Sequence, residues 1–102
     1  MRFDLVSIFP QYFDSLSLSL LGRADRSGLV SVRAHDLRDW AHGAHRSVDD
    51  APYGGGAGMV MLPGVWCAAL DEILGASCAP VLAVPTPSGT PLTQRLVGEL
   101  AR

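Results

Sequence analysis

The chain contains no lysine, so all 8 of its Lys+Arg residues are arginine. That excludes a phosphate-binding P-loop, whose pattern G-x-x-x-x-G-K-[ST] needs a lysine. Positive charge is not in excess either. The formal net charge is −2, so no global field gathers nucleic acid around the molecule. Cysteine is scarce; Cys67 and Cys78 are too few for a disulfide framework, and each reads as a small, inert, buried thiol. No apolar run approaches the roughly 18 residues that a membrane span needs. The start, Met1-Arg2-Phe3-Asp4, meets an early Pro10 and lacks the long apolar stretch and cleavage site of a signal peptide. Together these absences predict a soluble, cytoplasmic chain with no membrane or DNA partner.

What is present is ordinary globular material: 102 residues, 48% hydrophobic and 18% charged, enough for one small domain. Residues 3–9 read as a first strand, apolar and β-branched enough to be central. Pro10 then opens a helix over 11–21, carried by Tyr12, Phe13, Leu16, Leu20 and Leu21, with Gly22 as its cap. Residues 29–34 alternate as a second strand. Residues 37–58 keep neither period and form a long loop. A short extended piece at Met59–Leu62 precedes a helix from Pro63 to about Leu74, with Trp66, Leu70, Ile73 and Leu74 inward and Gly75 as its stop. Val81-Leu82-Ala83-Val84 reads as a further buried strand. Thr90 and Pro91 begin a last helix with Leu92, Leu96, Val97 and Leu100 on its stripe. The order β-α-β-loop-α-β-α predicts an α/β fold layered on a parallel sheet.

Two loops carry the chemistry. Tyr53-Gly54-Gly55-Gly56-Ala57-Gly58 is glycine-dense, and glycine lets a backbone approach a ligand closely. It fits no dinucleotide fingerprint, because a polar loop rather than a strand precedes it; a flexible structural turn is the plain alternative. His42, His45, Asp49 and Asp50 match no zinc spacing, and Ser-His-Asp hydrolysis lacks a nucleophile elbow. Pro85-Thr86-Pro87-Ser88-Gly89 lies between a predicted strand and a predicted helix, where open α/β sheets bind ligands. An ordinary connecting turn reads equally well there. Arg23, Arg26, Arg33, Arg38 and Arg46 cluster in the first half with all three histidines. That is either a solvated face or a set of phosphate contacts.

Three segments in this order decide among these readings. They are Ser7-Ile8-Phe9-Pro10 with Tyr12-Phe13, then His45-Arg46-Ser47-Val48-Asp49-Asp50-Ala51-Pro52-Tyr53-Gly54-Gly55-Gly56-Ala57-Gly58-Met59, and then Thr86-Pro87-Ser88-Gly89. The chain resembles the bacterial tRNA (guanine-N1)-methyltransferases over essentially its whole length. The resemblance implies the N-terminal part of a trefoil-knot (SPOUT-type) α/β domain, working as a homodimer. It implies methyl transfer from S-adenosylmethionine to N1 of the guanine next to the anticodon of tRNA. By the same resemblance, Val84, Pro85, Thr86, Pro87 and Gly89 line the methyl-donor pocket. Asp50 lies near the target guanine, and Tyr53, Gly54, Gly55 and Gly56 belong to the adjoining tRNA-facing motif. His45 and Arg46 either contact RNA backbone, orient Asp50 or serve as structural hydrogen-bonders. Ser88 and Thr90 depart from the glutamine and basic residue common in the family. The catalytic aspartate and arginine, the segment that closes the knot and the C-terminal tRNA-binding domain are expected beyond Arg102, so the 102 residues alone are expected to be inactive. The alternative is a non-catalytic dimerising or RNA-contacting module derived from that family.

Overall fold

The computed structural model describes residues 1–75 and 80–102. Cys78, one of the two thiols read as buried, lies outside them. Strand β1 (Arg2–Ser7) and strand β2 (Ser31–Asp36) pair in parallel from Arg2↔Ser31 to Ser7↔Asp36. The predicted parallel sheet is therefore present. Its first strand is half-buried at most, because β2 is its only hydrogen-bonded neighbour among the described residues. A central strand needs partners on both sides, and β1 has one.

The connection between these strands divides elsewhere than expected from a helix over 11–21 capped by Gly22 and a short turn or helix around 23–27. Pro10 starts a 3-10 helix, Pro10–Ser17, and a separate helix α1 spans Ser19–Arg26. The break falls at Leu18, which is extended, and Ser19, whose φ is +55°. Phe13 and Leu16 turn partly inward, while Tyr12 and Leu20 are exposed. Gly22 is not a cap. It lies inside α1, buried, where an added Cβ would stand 1.8 Å from the Ser17 carbonyl oxygen. Glycine is required there because two backbones nearly touch. Asp25 closes the unit by accepting a hydrogen bond from the Val32 N–H at 3.1 Å.

After β2 the Asp36 carboxylate accepts from the Arg38 N–H at 2.9 Å and caps a second 3-10 helix, Leu37–Trp40. Strands β3 (Asp49–Asp50) and β4 (Val60–Met61) form a small antiparallel ladder. Helix α2 (Pro63–Leu74) matches its expected limits, with Pro63 in the first turn and Gly75 at φ +53° as its stop. The core gathers between these parts: Leu37, Val48, Val65 and Ala69 are buried, with Val6, Ile8, Trp40, Leu62, Trp66 and Ile73 packed around them. Cys67 faces solvent on α2, contrary to its reading as a core thiol, because the buried stripe runs through Val65 and Ala69 on the other side.

The last segment overturns two expectations. Residues 81–84 form no strand, and Val81, Leu82 and Val84 are exposed. A β-strand is held by its neighbours rather than by its own composition, and none pairs with it among the described residues. The final helix, α3, spans Gln94–Leu100 and begins three residues later than Pro91 predicted. Thr93 is its cap, its hydroxyl accepting from the Leu96 N–H at 3.2 Å. No described helix is long and apolar enough to cross a membrane.

Candidate functional site

The segment 43–61 leaves the core and returns to it. It departs at the second 3-10 helix, turns through residues 43–46, and is pinned at Val48. The Val48 carbonyl accepts from the Leu62 N–H at 2.8 Å, and β3 pairs with β4 through Asp49↔Met61 and Asp50↔Val60. Residues 51–59 are thus held as a loop closed at its base. Gly54, Gly55, Gly56 and Gly58 all have positive φ, from +81° to +110°. An added Cβ at any of them meets nothing within 4 Å, so the backbone dihedral rather than a lack of space calls for glycine. Tyr53 stands at the tip, 97% exposed. An aromatic ring presented to solvent on a glycine-framed loop is available for stacking.

Asp50 lies at the base of this loop and is exposed. Its Oδ1 accepts from the following Ala51 N–H at 2.7 Å, and no other hydrogen bond of this carboxylate is present among the described residues. His45, earlier in the same segment, is exposed, and no side-chain hydrogen bond ties it to Asp50 among the described residues. Arg46 points elsewhere. Its Nη2 donates to Asp39 Oδ1 at 2.7 Å and its Nε to the Arg38 carbonyl at 3.2 Å. Arg46 also holds φ +48°, a left-handed conformation that costs a non-glycine residue roughly 1–2 kcal/mol. The structural bonding role weighed for Arg46 is visible, and Asp39 and Arg38 are its anchors. The sequence offered only opposite charges seven residues apart as a signal for the pair.

The turn at Thr86–Gly89 is built differently. Gly89 N–H donates to the Thr86 carbonyl at 3.0 Å, and Ser88 N–H donates to Thr86 Oγ1 at 3.1 Å. Pro87 at the second position and glycine at the fourth suit a type I β-turn. Thr86 and Ser88 hydroxyls lie 2.9 Å apart. The amides of Ser88 and Gly89 are therefore spent inside the turn. Val84, Pro85 and Pro87 are exposed. No side-chain hydrogen bond joins the turn to the 43–61 loop among the described residues, and each is displayed separately.

A third cluster went unnoticed in the sequence. Asp4 on β1 bonds Arg2 Nε at 2.7 Å and His35 Nε2 on β2 at 2.8 Å, and Arg2 also reaches the Ile73 carbonyl at 3.3 Å. Partial burial pushes the Asp4 carboxyl up. The hydrogen bonds and charges of Arg2 and His35 outweigh it and hold Asp4 below its ordinary value of 3.8. This network ties β1 to β2 and to the end of α2. It shares no hydrogen bond with either loop among the described residues and reads as structural.

The family of sequences described as tRNA (Guanine-1)-methyltransferase TrmD matches residues 1–102. Among curated relatives, the tRNA (guanine-N(1)-)-methyltransferase of Leifsonia xyli subsp. xyli is 54% identical over 101 residues, covering 99% of this chain and 44% of its own length. That of Cutibacterium acnes is 57% identical over 103 residues, 99% of this chain and 43% of its own. That of Thermobifida fusca is 56% identical over 104 residues, 100% of this chain and 40% of its own. The chain thus spans less than half the length of these relatives. With the match running through the glycine loop, the turn at Thr86–Gly89 and the parallel β1–β2 pair, the chain belongs to the tRNA (Guanine-1)-methyltransferase family.

Proposed function

We propose that residues 1–102 are the N-terminal part of a methyltransferase domain with a SPOUT-type trefoil knot, acting as a cytoplasmic homodimer on tRNA. The reaction is transfer of a methyl group to N1 of the guanine adjacent to the anticodon. The observation that carries this reading is the family match over residues 1–102, joined to relatives of the same name at 54–57% identity. S-adenosylmethionine, when bound, supplies an electrophilic methyl on a sulfonium centre. Val84, Pro85, Thr86, Pro87 and Gly89 hold it through apolar contact and backbone acceptors, which suits their exposed, rigid turn.

On the RNA side the loop 51–59 receives the anticodon stem-loop. Tyr53 offers a stacking face, and the backbone of Gly54, Gly55 and Gly56 admits close approach by a nucleotide. N1 of guanine carries a proton at neutral pH, and that proton must leave as the methyl–nitrogen bond forms. The carboxylate of Asp50 accepts from the Watson–Crick edge of the base and orients it. His45 adds a neighbouring contact to RNA. The groups that complete the chemistry belong to the part of the relatives this chain does not span.

Calorimetry on a folded sample of residues 1–102 tests both halves. We expect saturable binding of S-adenosylhomocysteine, weaker binding of a guanine-containing anticodon stem-loop, and no methyl transfer. Absence of both binding events refutes the assignment of these two loops. Turnover by these residues alone refutes the placement of the catalytic groups outside them. RNA binding without donor binding favours the non-catalytic RNA-contacting module instead.

A further inference from the structure

Arg46 carries the charge that a phosphate contact would use, yet its guanidinium is already engaged. Two of its nitrogens meet two acceptors, Asp39 Oδ1 at 2.7 Å and the Arg38 carbonyl at 3.2 Å. Both acceptors lie on the second 3-10 helix, Leu37–Trp40, whose Leu37 is fully buried. That helix is anchored in turn. Arg38 donates from Nη1 to the Ile8 carbonyl at 2.7 Å, and its guanidinium lies over the Phe9 ring at 6.0 Å. A continuous path of contacts therefore runs from the end of β1, through Arg38, to the backbone of residues 43–46. Two residues beyond Arg46 the chain enters the core at Val48, and two further on it presents Asp50.

We propose that Arg46 and Asp39 are positioning residues: their forked contact holds the turn 43–46 in its left-handed shape and so sets where Asp50 and the glycine loop stand. The part of this inference that concerns RNA rests on the function proposed above; the part that concerns the turn does not. The left-handed backbone at Arg46 is disfavoured by itself, and the fork supplies what holds it. An exposed ion pair adds little to global stability. Its effect here is local, because the fork fixes one orientation where a single point contact would leave several. Lysine cannot reproduce it, having one nitrogen for two acceptors.

The two roles open to Arg46 predict opposite signs at Asp39. If Arg46 reaches RNA phosphate, removing the Asp39 carboxylate frees a cation and strengthens RNA binding. If Arg46 positions the loop, losing Asp39 weakens it. The experiment compares Asp39→Asn, Arg46→Gln, Arg46→Lys and the double variant Asp39→Asn/Arg46→Gln in the full chain. Amide hydrogen exchange at residues 43–50 is the first readout, with α1 as an internal control. We expect each single variant to speed exchange in 43–50 by about two- to fivefold, the range an exposed pair supports. The double variant adds nothing further, Lys does not rescue, and α1 is unchanged. Unchanged exchange at 43–50, or additive effects, overturns the proposal.

The second readout is affinity for a guanine-containing anticodon stem-loop across a salt series. Weaker binding for both Asp39→Asn and Arg46→Gln, with an unaltered salt slope, supports positioning. Tighter binding for Asp39→Asn with a slope reduced by about 0.7 for Arg46→Gln marks a phosphate contact and overturns it. If the unmodified chain binds no stem-loop at all, the RNA reading of this chain fails, and hydrogen exchange alone decides the fork.

Discussion

Leu37 and Leu82 are the same side chain in opposite circumstances. Leu37 is 0% exposed, enclosed by Val48, Val65 and Ala69; Leu82 is 61% exposed in a segment without assigned structure. The contrast extends to their surroundings. Up to Leu74, every element leans on another: β1 on β2, the second 3-10 helix on α2, β3 on β4. From Pro80 onward the apolar residues Val81, Leu82, Val84 and Leu92 are displayed to solvent. An apolar run of β-type composition becomes a strand when a neighbour supplies its hydrogen bonds and a layer covers its face. The first region meets that condition and the last does not. The glycine loop, rooted in the first region, inherits a fixed base. The turn at Thr86–Gly89 is hydrogen-bonded internally but has no such root among the described residues.

The comparison can be broken most directly at its two leucines. Leu37→Ala empties the centre of the only buried cluster among the described residues and should cost about 2–4 kcal/mol in denaturant unfolding. A loss below about 1 kcal/mol would mean that the first region is not packed as described. Gly22→Ala comes next. Its Cβ would press on the Ser17 carbonyl, forcing α1 away from the preceding 3-10 helix at about 1–3 kcal/mol. A neutral or stabilising effect, the usual outcome for alanine in an exposed helix, would show that the two backbones do not meet.

Asp4→Asn sharpens the same picture through pH. The folded-state carboxyl titrates below its ordinary 3.8, so the network contributes stability that is complete above that value. It is lost as pH falls through the lowered folded value. The stability difference between the natural chain and Asp4→Asn should therefore be constant near neutrality and shrink below about pH 4. A difference that grows in acid would contradict the pairing with Arg2 and His35. The smallest effect is expected from Leu82→Ala, within about 0.5 kcal/mol of the unaltered chain, because that side chain is mostly exposed. A penalty like that of Leu37→Ala would show that the last region is covered in solution.

Much of the first region was legible from residue pattern alone. Alternation and β-branching gave away β1 and β2, and Pro63 with Gly75 bracketed α2 within a residue, because these signals act over a few neighbouring positions. The glycine loop was legible for a related reason: successive positive φ angles leave glycine almost no competitor. Cys67 was misjudged because small apolar neighbours do not reveal which side of a helix faces the core. Gly22 was read as a cap because sequence cannot show that another backbone passes within contact distance.

The sequence by itself determined the two parallel strands and helix α2, the turn at Thr86–Gly89, the glycine frame around Tyr53 and the family to which they belong. Each follows from local conformational preference or from a long ordered motif. Only the tertiary structure decided that Arg46 turns toward Asp39, that Asp4 bridges Arg2 and His35, and that residues 81–84 pair with no strand among the described residues. Those outcomes depend on which groups lie within a few ångströms after folding. A charge or an apolar run carries no record of its neighbour until the chain has brought the two together.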